Sequence, residues 1–357
     1  MGMKFLITTA PGLESLVKRE CEKLGYKPAE VTDRSVIVEG DETTLCKLNI
    51  WLRCANRVYL ILEEGIATDF EDLFSLAGSV DWRKYRPANS PIIVETVTVR
   101  SALSSEPAIQ RTVKKAIIDG LVGRSGEIVP EVESLPSFRI LVLVRNDRAL
   151  LLLDSSGDAL HKRGYRIEAG EAPLKETLAA AMIYLSNWRY REPFLDPCAG
   201  AGTIPIEAAM IARNVAPGLR RHFALENWDW IPPKYLAEAR DHAKTQIYPP
   251  GGYSISGSDI DAKMMEQAEY NAKVAGVAAD ITWSTADALS RDLSKAVTIV
   301  TNPPYGDRIE TADVEPLHAR LQDEFKSRPT LSGGVITSVE SFIGGTRKFL
   351  DRRKLWN

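Results

Sequence analysis

The chain has 357 residues, of which 44% are hydrophobic and 26% are charged, a mixture that excludes wholesale disorder. Its net charge of −3 excludes a polycationic protein, so any contact with nucleic acid must come from local basic patches. No apolar run approaches the roughly 18 residues of a membrane span. The four cysteines have no CxxC spacing and predict neither zinc nor disulfides. We expect a cytoplasmic protein without metal or membrane contact, and its oligomeric state stays open.

The first half alternates short strand-like and helix-like patterns. The predicted order is strand 4–9, helix 13–24, strand 35–39, helix 43–52 and strand 57–63, which is typical of a ferredoxin-like α+β subdomain. We place this subdomain at residues 1–62. Residues 63–156 form a second unit, with predicted strands at 92–99, 139–144 and 149–154 and a helix at 108–121.

A glycine-rich and charged stretch, 157–173, is predicted to be the hinge between the two halves. Beyond it the pattern becomes repeated βα units over 174–357. The predicted helices are 174–185, 204–212, 262–275 and 317–325, and the predicted strands are 193–195, 253–258, 280–283, 296–301 and 334–339. Repeats of this kind specify a doubly wound, mostly parallel α/β sheet.

The sequence Phe-Leu-Asp-Pro-Cys-Ala-Gly-Ala-Gly-Thr at 194–203 takes an apolar strand into a glycine loop and a helix. Glycines let the backbone approach a ligand. As a dinucleotide fingerprint the loop is incomplete, because Pro205 replaces the last glycine. The Asp196 carboxylate would repel a pyrophosphate but suits a cationic amino acid group. An ordinary tight turn is the alternative.

Two further acidic residues follow later strands. Asp259 is well placed to accept hydrogen bonds from ribose hydroxyls, and a helix N-cap is the alternative role. Asp287 could hold an adenine amino group or be an exposed loop carboxylate. The long stretch 216–252 between the glycine loop and Asp259 is predicted to be an insertion after the first helix of this half.

The sharpest motif is Asn302-Pro303-Pro304-Tyr305, directly after an apolar strand. The Asn302 side-chain oxygen and the Pro303 carbonyl can both accept from one exocyclic amine and so orient its lone pair. Tyr305 could stack on a base ring. A simple loop-forming turn is the alternative.

Together with Pro-Gly-Leu-Glu at 11–14, Leu-His-Lys-Arg-Gly-Tyr-Arg at 160–166 and Ala-Pro-Leu-Lys-Glu-Thr-Leu-Ala-Ala at 172–180, these motifs resemble a known family over nearly the whole chain. The resemblance is to THUMP-containing class I S-adenosylmethionine-dependent RNA methyltransferases, in particular the bacterial UPF0020-type group that makes N2-methylguanine in 23S ribosomal RNA. It implies a Rossmann-like methyltransferase sheet at 174–357, preceded by the ferredoxin-like subdomain and a THUMP RNA-binding domain at 63–156. Because the family pattern continues beyond the segment at 352–357, it also implies that this chain lacks the last strand.

The resemblance implies a set of cofactor-binding residues for S-adenosyl-L-methionine: Asp196, Cys198, Gly200, Gly202, Thr203, Asp259, Asp287, Lys175, Glu176 and Thr177. For the last three, a plain helix start is the alternative. It implies a catalytic set at the target base: Asn302, Pro303, Pro304 and Tyr305.

Basic residues cluster beside aromatics at 161–166, 220–222 and 347–354, the composition of phosphate contacts with base stacking. Taken singly, each such cluster is more often a solvated surface. We expect the hinge cluster, Lys162, Arg163 and Arg166, to contact structured RNA. The expected activity is methyl transfer to a guanine N2 amine; a transfer RNA guanine or an adenine N6 as target, and a non-catalytic RNA-binding relic, are the alternatives.

Overall fold

The computed structural model describes residues 2–123, 129–166, 174–304 and 311–337, without the side chains of 311–314. Tyr305, the hinge residues 167–173 and the basic cluster at 347–354 lie outside this description. So does the end of the chain, to which the expected loss of the last strand refers.

One twisted sheet organises the amino-terminal half. Its strands are β1 (Met3–Thr9), β2 (Pro28–Thr32), β3 (Ser35–Gly40), β4 (Ala55–Ile66), β5 (Ile92–Val99), β6 (Phe138–Arg145) and β7 (Arg148–Asp154). Its helices are α1 (Glu14–Lys23), α2 (Glu42–Trp51), α3 (Phe70–Gly78), α4 (Trp82–Tyr85) and α5 (Glu106–Val122). The strand order is β2-β3-β1-β4-β7-β6-β5, and only the β5–β6 pair among these neighbours is parallel.

The alternation of side chains along β1 shows which sheet face the helices cover. Phe5 and Ile7 are fully buried in the core that contains Leu16 and Val17 of α1. Leu6 points the other way, into a smaller apolar cluster formed by sheet residues alone. The helices therefore pack on one face of the sheet, as an α+β arrangement requires.

The two predicted amino-terminal units share this sheet. Strand β4 pairs with β1 on one side and with β7 on the other. The predicted boundary between residues 62 and 63 therefore falls inside a continuous, hydrogen-bonded strand.

The carboxy-terminal half is a five-stranded parallel sheet flanked by helices. Its strands are β8 (Phe194–Asp196), β9 (Ile255–Asp259), β10 (Ile281–Thr285), β11 (Thr298–Thr301) and β12 (Ser332–Val335). Its helices are α6 (Glu176–Leu185), α7 (Thr203–Ala212), α8 (Pro233–Thr245), α9 (Ala262–Ala275) and α10 (Thr311–Ser327). Within the described ranges, no helix is both long and apolar enough to cross a bilayer.

The strand order β10-β9-β8-β11-β12 confirms the predicted doubly wound fold. The chain starts at the central strand β8, adds β9 and β10 on one side, and then crosses to β11 and β12 on the other. In such sheets a crevice opens at the carboxyl ends of the two strands where the direction reverses. Here those strands are β8 and β11, which are direct neighbours.

The two halves meet along a tight seam, and the 216–252 segment supplies much of it. Helix α8 in this segment packs on α2. The Gly218 amide donates to the Ile50 carbonyl at 2.9 Å, and a Cβ on Gly218 would lie only 2.6 Å from the Ile50 Cα. Tyr85 meets Trp230 edge-to-face at 5.4 Å between ring centroids. The predicted insertion therefore contributes contacts that hold the amino-terminal module.

Candidate active site

The polar residues predicted from the sequence follow the carboxyl ends of neighbouring parallel strands. Asp196 ends β8, Asp259 ends β9, and Asp287 lies two residues beyond β10. Asn302 directly follows β11. The fold thus brings these four positions to one edge of the sheet, on either side of the crevice between β8 and β11.

The glycine loop after β8 is held by main-chain bonds to the next strand. The Ala199 amide donates to the Ser258 carbonyl at 2.8 Å, and the Gly200 amide donates to the Asp259 carboxylate at 2.9 Å. Both glycines of the loop have positive φ, +50° at Gly200 and +86° at Gly202, which favours glycine over other residues. These bonds and φ angles define the shape of the loop.

The two glycines face different surroundings. A Cβ on Gly202 would lie 2.8 Å from Cη2 of Trp283 and 2.9 Å from the Ala268 Cβ, so this position requires glycine for packing. A Cβ on Gly200 would meet no atom within 4 Å, so the backbone here borders open space. A ligand could approach the main chain at Gly200.

Asp196 is a buried carboxyl group whose surroundings satisfy only one of its oxygens. Oδ1 accepts from the Cys198 amide at 3.1 Å, and buried Oδ2 has no hydrogen-bond partner among the described residues. Burial foremost, with the nearby Asp259 charge, raises the pKa of the carboxyl to about 7. The Cys198 amide and the nearby Thr301 hydroxyl, which makes no hydrogen bond among the described residues, oppose this rise. An orphaned carboxylate oxygen of this kind suits a cationic ligand group.

The other two carboxylates are less enclosed. Asp259 accepts from the Gly200 amide and, through Oδ1, from the Asp261 amide at 3.1 Å. The side chain of Asp261, and not that of Asp259, caps α9. Half-buried Asp287 accepts from the Leu289 amide at 2.8 Å. The N-cap alternative for Asp259 is therefore wrong.

Asn302 presents an unpaired acceptor beside the crevice. Its Oδ1 is buried and has no hydrogen-bond partner among the described residues. Pro303 is buried and Pro304 is half-buried. A buried amide oxygen without a partner costs free energy, which a donor from a bound molecule would recover.

The start of α6 contributes a second group of predicted cofactor residues. Lys175 is the N-cap residue, although its side chain makes no cap hydrogen bond, and Glu176 and Thr177 are buried in the first turn. The Thr177 hydroxyl has no partner among the described residues. Glu176 pairs with Arg166 at 3.2 Å.

The side chains of the two hinge arginines, Arg163 and Arg166, point toward the protein interior. Arg163 is 2% exposed, and its guanidinium donates to Glu207 and to the carbonyls of Leu160 and Arg53. The predicted RNA contact of Arg163 is therefore wrong, because all three guanidinium nitrogens have partners inside the protein. Arg166 is also largely enclosed, with 12% of its side chain exposed.

Of the three predicted RNA contacts, Lys162 alone is well exposed, at 60% of its side chain, and it pairs with Asp158. His161 adds no charge near pH 7, because burial and the neighbouring cations, Lys175 foremost, lower its pKa to about 4. In the second basic cluster, Arg221 is buried and bonds main-chain carbonyls, whereas the His222 side chain is exposed.

Residues that support the loop carry no sequence motif and were not predicted. Asn271 of α9 donates from Nδ2 to the Ala201 carbonyl at 3.0 Å, and Trp283 of β10 lies against Gly202. A buried asparagine on an otherwise apolar helix face is the signal that could have identified Asn271.

The observed chemistry fits S-adenosylmethionine better than a metal or a pyrophosphate. The orphaned oxygen of Asp196 suits a cationic amino group, open space borders Gly200, and Asp259 offers carboxylate oxygens. Among the described residues, no group of three or more histidine, cysteine or carboxylate side chains could hold a metal ion.

Three family models match the chain. The RMKL-like methyltransferase domain of UPF0020 matches residues 163–342, the RlmL ferredoxin-like domain matches 4–59, and the THUMP domain matches 67–154. Together they follow the order of the predicted units and confirm the suspected family.

Whole-length relatives agree. YpsC of Bacillus subtilis, named provisionally as an RNA methyltransferase, is 39% identical over 99% of this chain and 92% of its own. A Listeria monocytogenes protein, named by prediction an N6-adenine-specific DNA methylase, is 38% identical with a TM-score of 0.87, over 96% of this chain and 90% of that one. SMU.472, provisionally a methyltransferase and solved with SAH, is 35% identical with a TM-score of 0.84, over 96% and 91%.

The parallel sheet, the glycine loop with its acidic neighbours, and these matches over nearly the full length lead to one conclusion: the chain belongs to the UPF0020 family of RMKL-like methyltransferases that carry an RlmL ferredoxin-like domain and a THUMP domain.

Proposed function

We propose that this methyltransferase transfers a methyl group from S-adenosyl-L-methionine to the exocyclic N2 amine of a guanine in structured RNA, with 23S ribosomal RNA as the substrate. The THUMP match and the name of the Bacillus subtilis relative support an RNA substrate. The SAH complex of SMU.472 supports the cofactor. The domain limits that we propose are 1–62, 63–156, a hinge at 157–173, and 174–357 for the catalytic domain.

The cofactor supplies a methyl group activated by its sulfonium charge. In our proposal Asp196 receives the amino group of its methionine portion, while the loop from Cys198 to Thr203 runs beside it. Asp259 accepts from the ribose hydroxyls, and Asp287 holds the adenine. The first turn of α6, at 175–177, closes over the bound molecule.

The proposed catalysis depends on positioning more than on acid–base chemistry. The target base is extruded from its helix, and stacking on Tyr305 beside Pro304 holds its plane. The Asn302 Oδ1 and the Pro303 carbonyl accept the two amine hydrogens, which directs the nitrogen lone pair toward the methyl carbon. As the nitrogen–carbon bond forms, the carbon–sulfur bond breaks, and one amine proton leaves to water.

The observation that carries this proposal is the buried Asn302 oxygen without a partner at the end of β11, the strand beside Asp196. The test is Asn302→Ala, assayed with ribosomal RNA from a strain lacking the gene. Methyl transfer should fall about 100-fold, because the amine loses its orientation. SAH affinity should stay within about twofold. Equal loss of both would assign Asn302 to the cofactor instead.

The alternatives differ in the base and the RNA. The Asn302 oxygen and the Pro303 carbonyl would recognise an amino group and not a whole base. Adenine N6, the target in the name of the Listeria protein, would therefore also fit, and so would a transfer RNA guanine. Mass spectrometry of nucleosides from RNA of cells with and without the gene separates these targets. A non-catalytic relic would produce no SAH binding heat in calorimetry.

A further inference from the structure

Two arginines in the described part of the hinge, Arg163 and Arg166, point into the protein. They bond residues of the amino-terminal module and of the catalytic domain. Arg163 donates from Nη2 to the Arg53 carbonyl of the ferredoxin-like subdomain at 2.5 Å, and from Nε to Glu207 of α7 at 3.4 Å. Tyr165, also buried, donates to the same carboxylate oxygen at 3.3 Å. The hinge is thereby tied to the module on one side and to α7 on the other.

Arg166 makes the next connection, between two helix starts. Its Nη2 donates to the Thr203 hydroxyl at 2.6 Å, at the first residue of α7. The same nitrogen lies 3.2 Å from the Glu176 carboxylate, at the first residue of α6, and 3.2 Å from the Leu174 carbonyl. One guanidinium nitrogen therefore joins the end of the glycine loop to the first turn of α6.

Helix stability does not explain a cation at this place. The amino-terminal end of a helix has positive potential, which favours anions and disfavours a guanidinium. Two such ends meet at Arg166, and among the described residues the Glu176 carboxylate is its ion-pair partner. Burial raises the pKa of Glu176, whereas Arg166 lowers it. The arrangement instead fixes the spacing between two segments that face the proposed cofactor site.

We infer that Arg166 is a positioning residue for the cofactor, which holds the start of α6 against the glycine loop at the distance that binding requires. This inference rests on the proposed function. Arg163 ties the same hinge to Arg53 of the ferredoxin-like subdomain, and Arg163 and Tyr165 both tie it to Glu207 of α7. The attachment of the amino-terminal module and the shape of the cofactor site therefore share one set of contacts. Arg166 therefore acts on the cofactor through Thr203 and Glu176.

The test is Arg166→Met in the full chain, with SAH affinity measured by calorimetry. Methionine keeps much of the side-chain volume and removes the donors. Because the charge-assisted contacts that hold α6 against the glycine loop are lost, we expect SAH to bind at least about tenfold more weakly. In Arg166→Lys, one ammonium can replace the single nitrogen that makes all three contacts, so part of the affinity should return.

Arg213→Met is the matched control. Arg213 is 13% exposed, pairs with Asp280 at 3.2 Å, and lies at the far end of the same helix α7. The exposed fraction of its side chain and the distance to its carboxylate partner are close to those of Arg166, which are 12% and 3.2 Å. Its side chain bonds neither the glycine loop nor α6 in the described structure. Its SAH affinity should stay within about twofold of the unsubstituted chain, even where the melting temperature falls.

The outcomes separate this inference from the proposed function. If the unsubstituted chain does not bind SAH, the proposed function fails. If it binds SAH and Arg166→Met binds equally well, or if Arg213→Met loses as much affinity, the positioning role is overturned. Should Arg166→Met not fold, the lysine variant decides: full loss of affinity in a folded protein overturns the role of the nitrogen contacts, and partial retention supports it.

Discussion

The Gly200 amide donates to the Asp259 carboxylate at 2.9 Å, and this bond joins the glycine loop after β8 to the end of β9. The carboxylate that is proposed to accept from the ribose also holds the loop proposed to run beside the methionine portion. Two parts of the proposed cofactor site therefore depend on one side chain.

Asp259→Ala should accordingly weaken SAH binding by more than the loss of a single contact. We expect at least about a tenfold loss, because the loop loses its support together with the ligand contact. Asp261→Ala is the control, since Asp261 caps α9 through the Lys263 amide at 2.8 Å. It should cost about 1 kcal/mol of stability and leave SAH affinity unchanged. Equal effects of both variants on binding would contradict the assignment.

Substitution of the two loop glycines should separate packing from ligand access. Gly202→Ala places its Cβ within 3 Å of Trp283 and Ala268, so the melting temperature should fall clearly. Gly200→Ala meets no atom within 4 Å, so it should remain folded with a smaller loss of stability from its positive φ. Its added methyl group enters the space proposed for the cofactor, so SAH affinity should fall. A Gly200→Ala variant with unchanged affinity would show that the ligand does not approach this loop.

The ionisation of Asp196 should make both stability and binding depend on pH. Burial raises its pKa from 3.8 to about 7, so without cofactor the unfolded chain loses this proton at lower pH than the folded one. This group therefore lowers stability progressively as pH rises from about 4 to about 7, and Asp196→Asn should remove that decline. Thermal melts of both proteins across this range measure the difference.

Cofactor binding should respond in the opposite direction. If the ionised Asp196 receives a cationic amino group, SAH affinity rises as pH increases through about 7, because more of the protein carries the charge. Calorimetry in buffers of different ionisation enthalpy should detect proton release below that pH, and Asp196→Asn should lose it. The role would be contradicted if SAH affinity in the unsubstituted chain increased as pH is lowered, and did so by more than in Asp196→Asn.

A substitution at the seam should loosen the module without touching the cofactor site. Gly218→Ala adds a Cβ 2.6 Å from the Ile50 Cα and 2.7 Å from the Asn49 carbonyl oxygen. Both are backbone atoms, so the main chain of one half would have to shift. We expect faster limited proteolysis between the halves and weaker RNA methylation, with SAH affinity retained. Gly78→Ala, where a Cβ meets no atom within 4 Å, should behave like the unsubstituted chain. Unchanged proteolysis of Gly218→Ala would show that the seam adapts.

Much of the fold could be predicted because its signals are local. The buried parallel strands are short apolar runs followed by polar or glycine residues, and helix α9 has the predicted bounds, Ala262–Ala275. Strand β2, Pro28–Thr32, was missed because it is an edge strand that contains a proline. Helix α3 was also missed, although Asp69 caps it and acidic residues occupy its first turn.

The side-chain environment of charged residues could not be predicted in the same way. A run of basic residues looks alike whether it faces solvent or folds inward, and Arg163, Arg166 and Arg221 fold inward. Several of their partners are distant along the chain: Glu207 lies 44 positions and Arg53 lies 110 positions from Arg163. Composition therefore grouped buried Arg163 with exposed Lys162, and only the structure separates the two.

The continuous strand β4 has a consequence for how this protein would bind an RNA. Strand β4 is hydrogen-bonded to β1 on one side and to β7 on the other. Neither amino-terminal unit can therefore rotate against the other without breaking the backbone hydrogen bonds of β4. An RNA bound to this sheet would therefore meet both units in one fixed relative orientation. Its distance from the crevice would be set by the seam between the two halves, so that the choice of nucleotide would depend on the shape of the RNA as well as on the bases around the target.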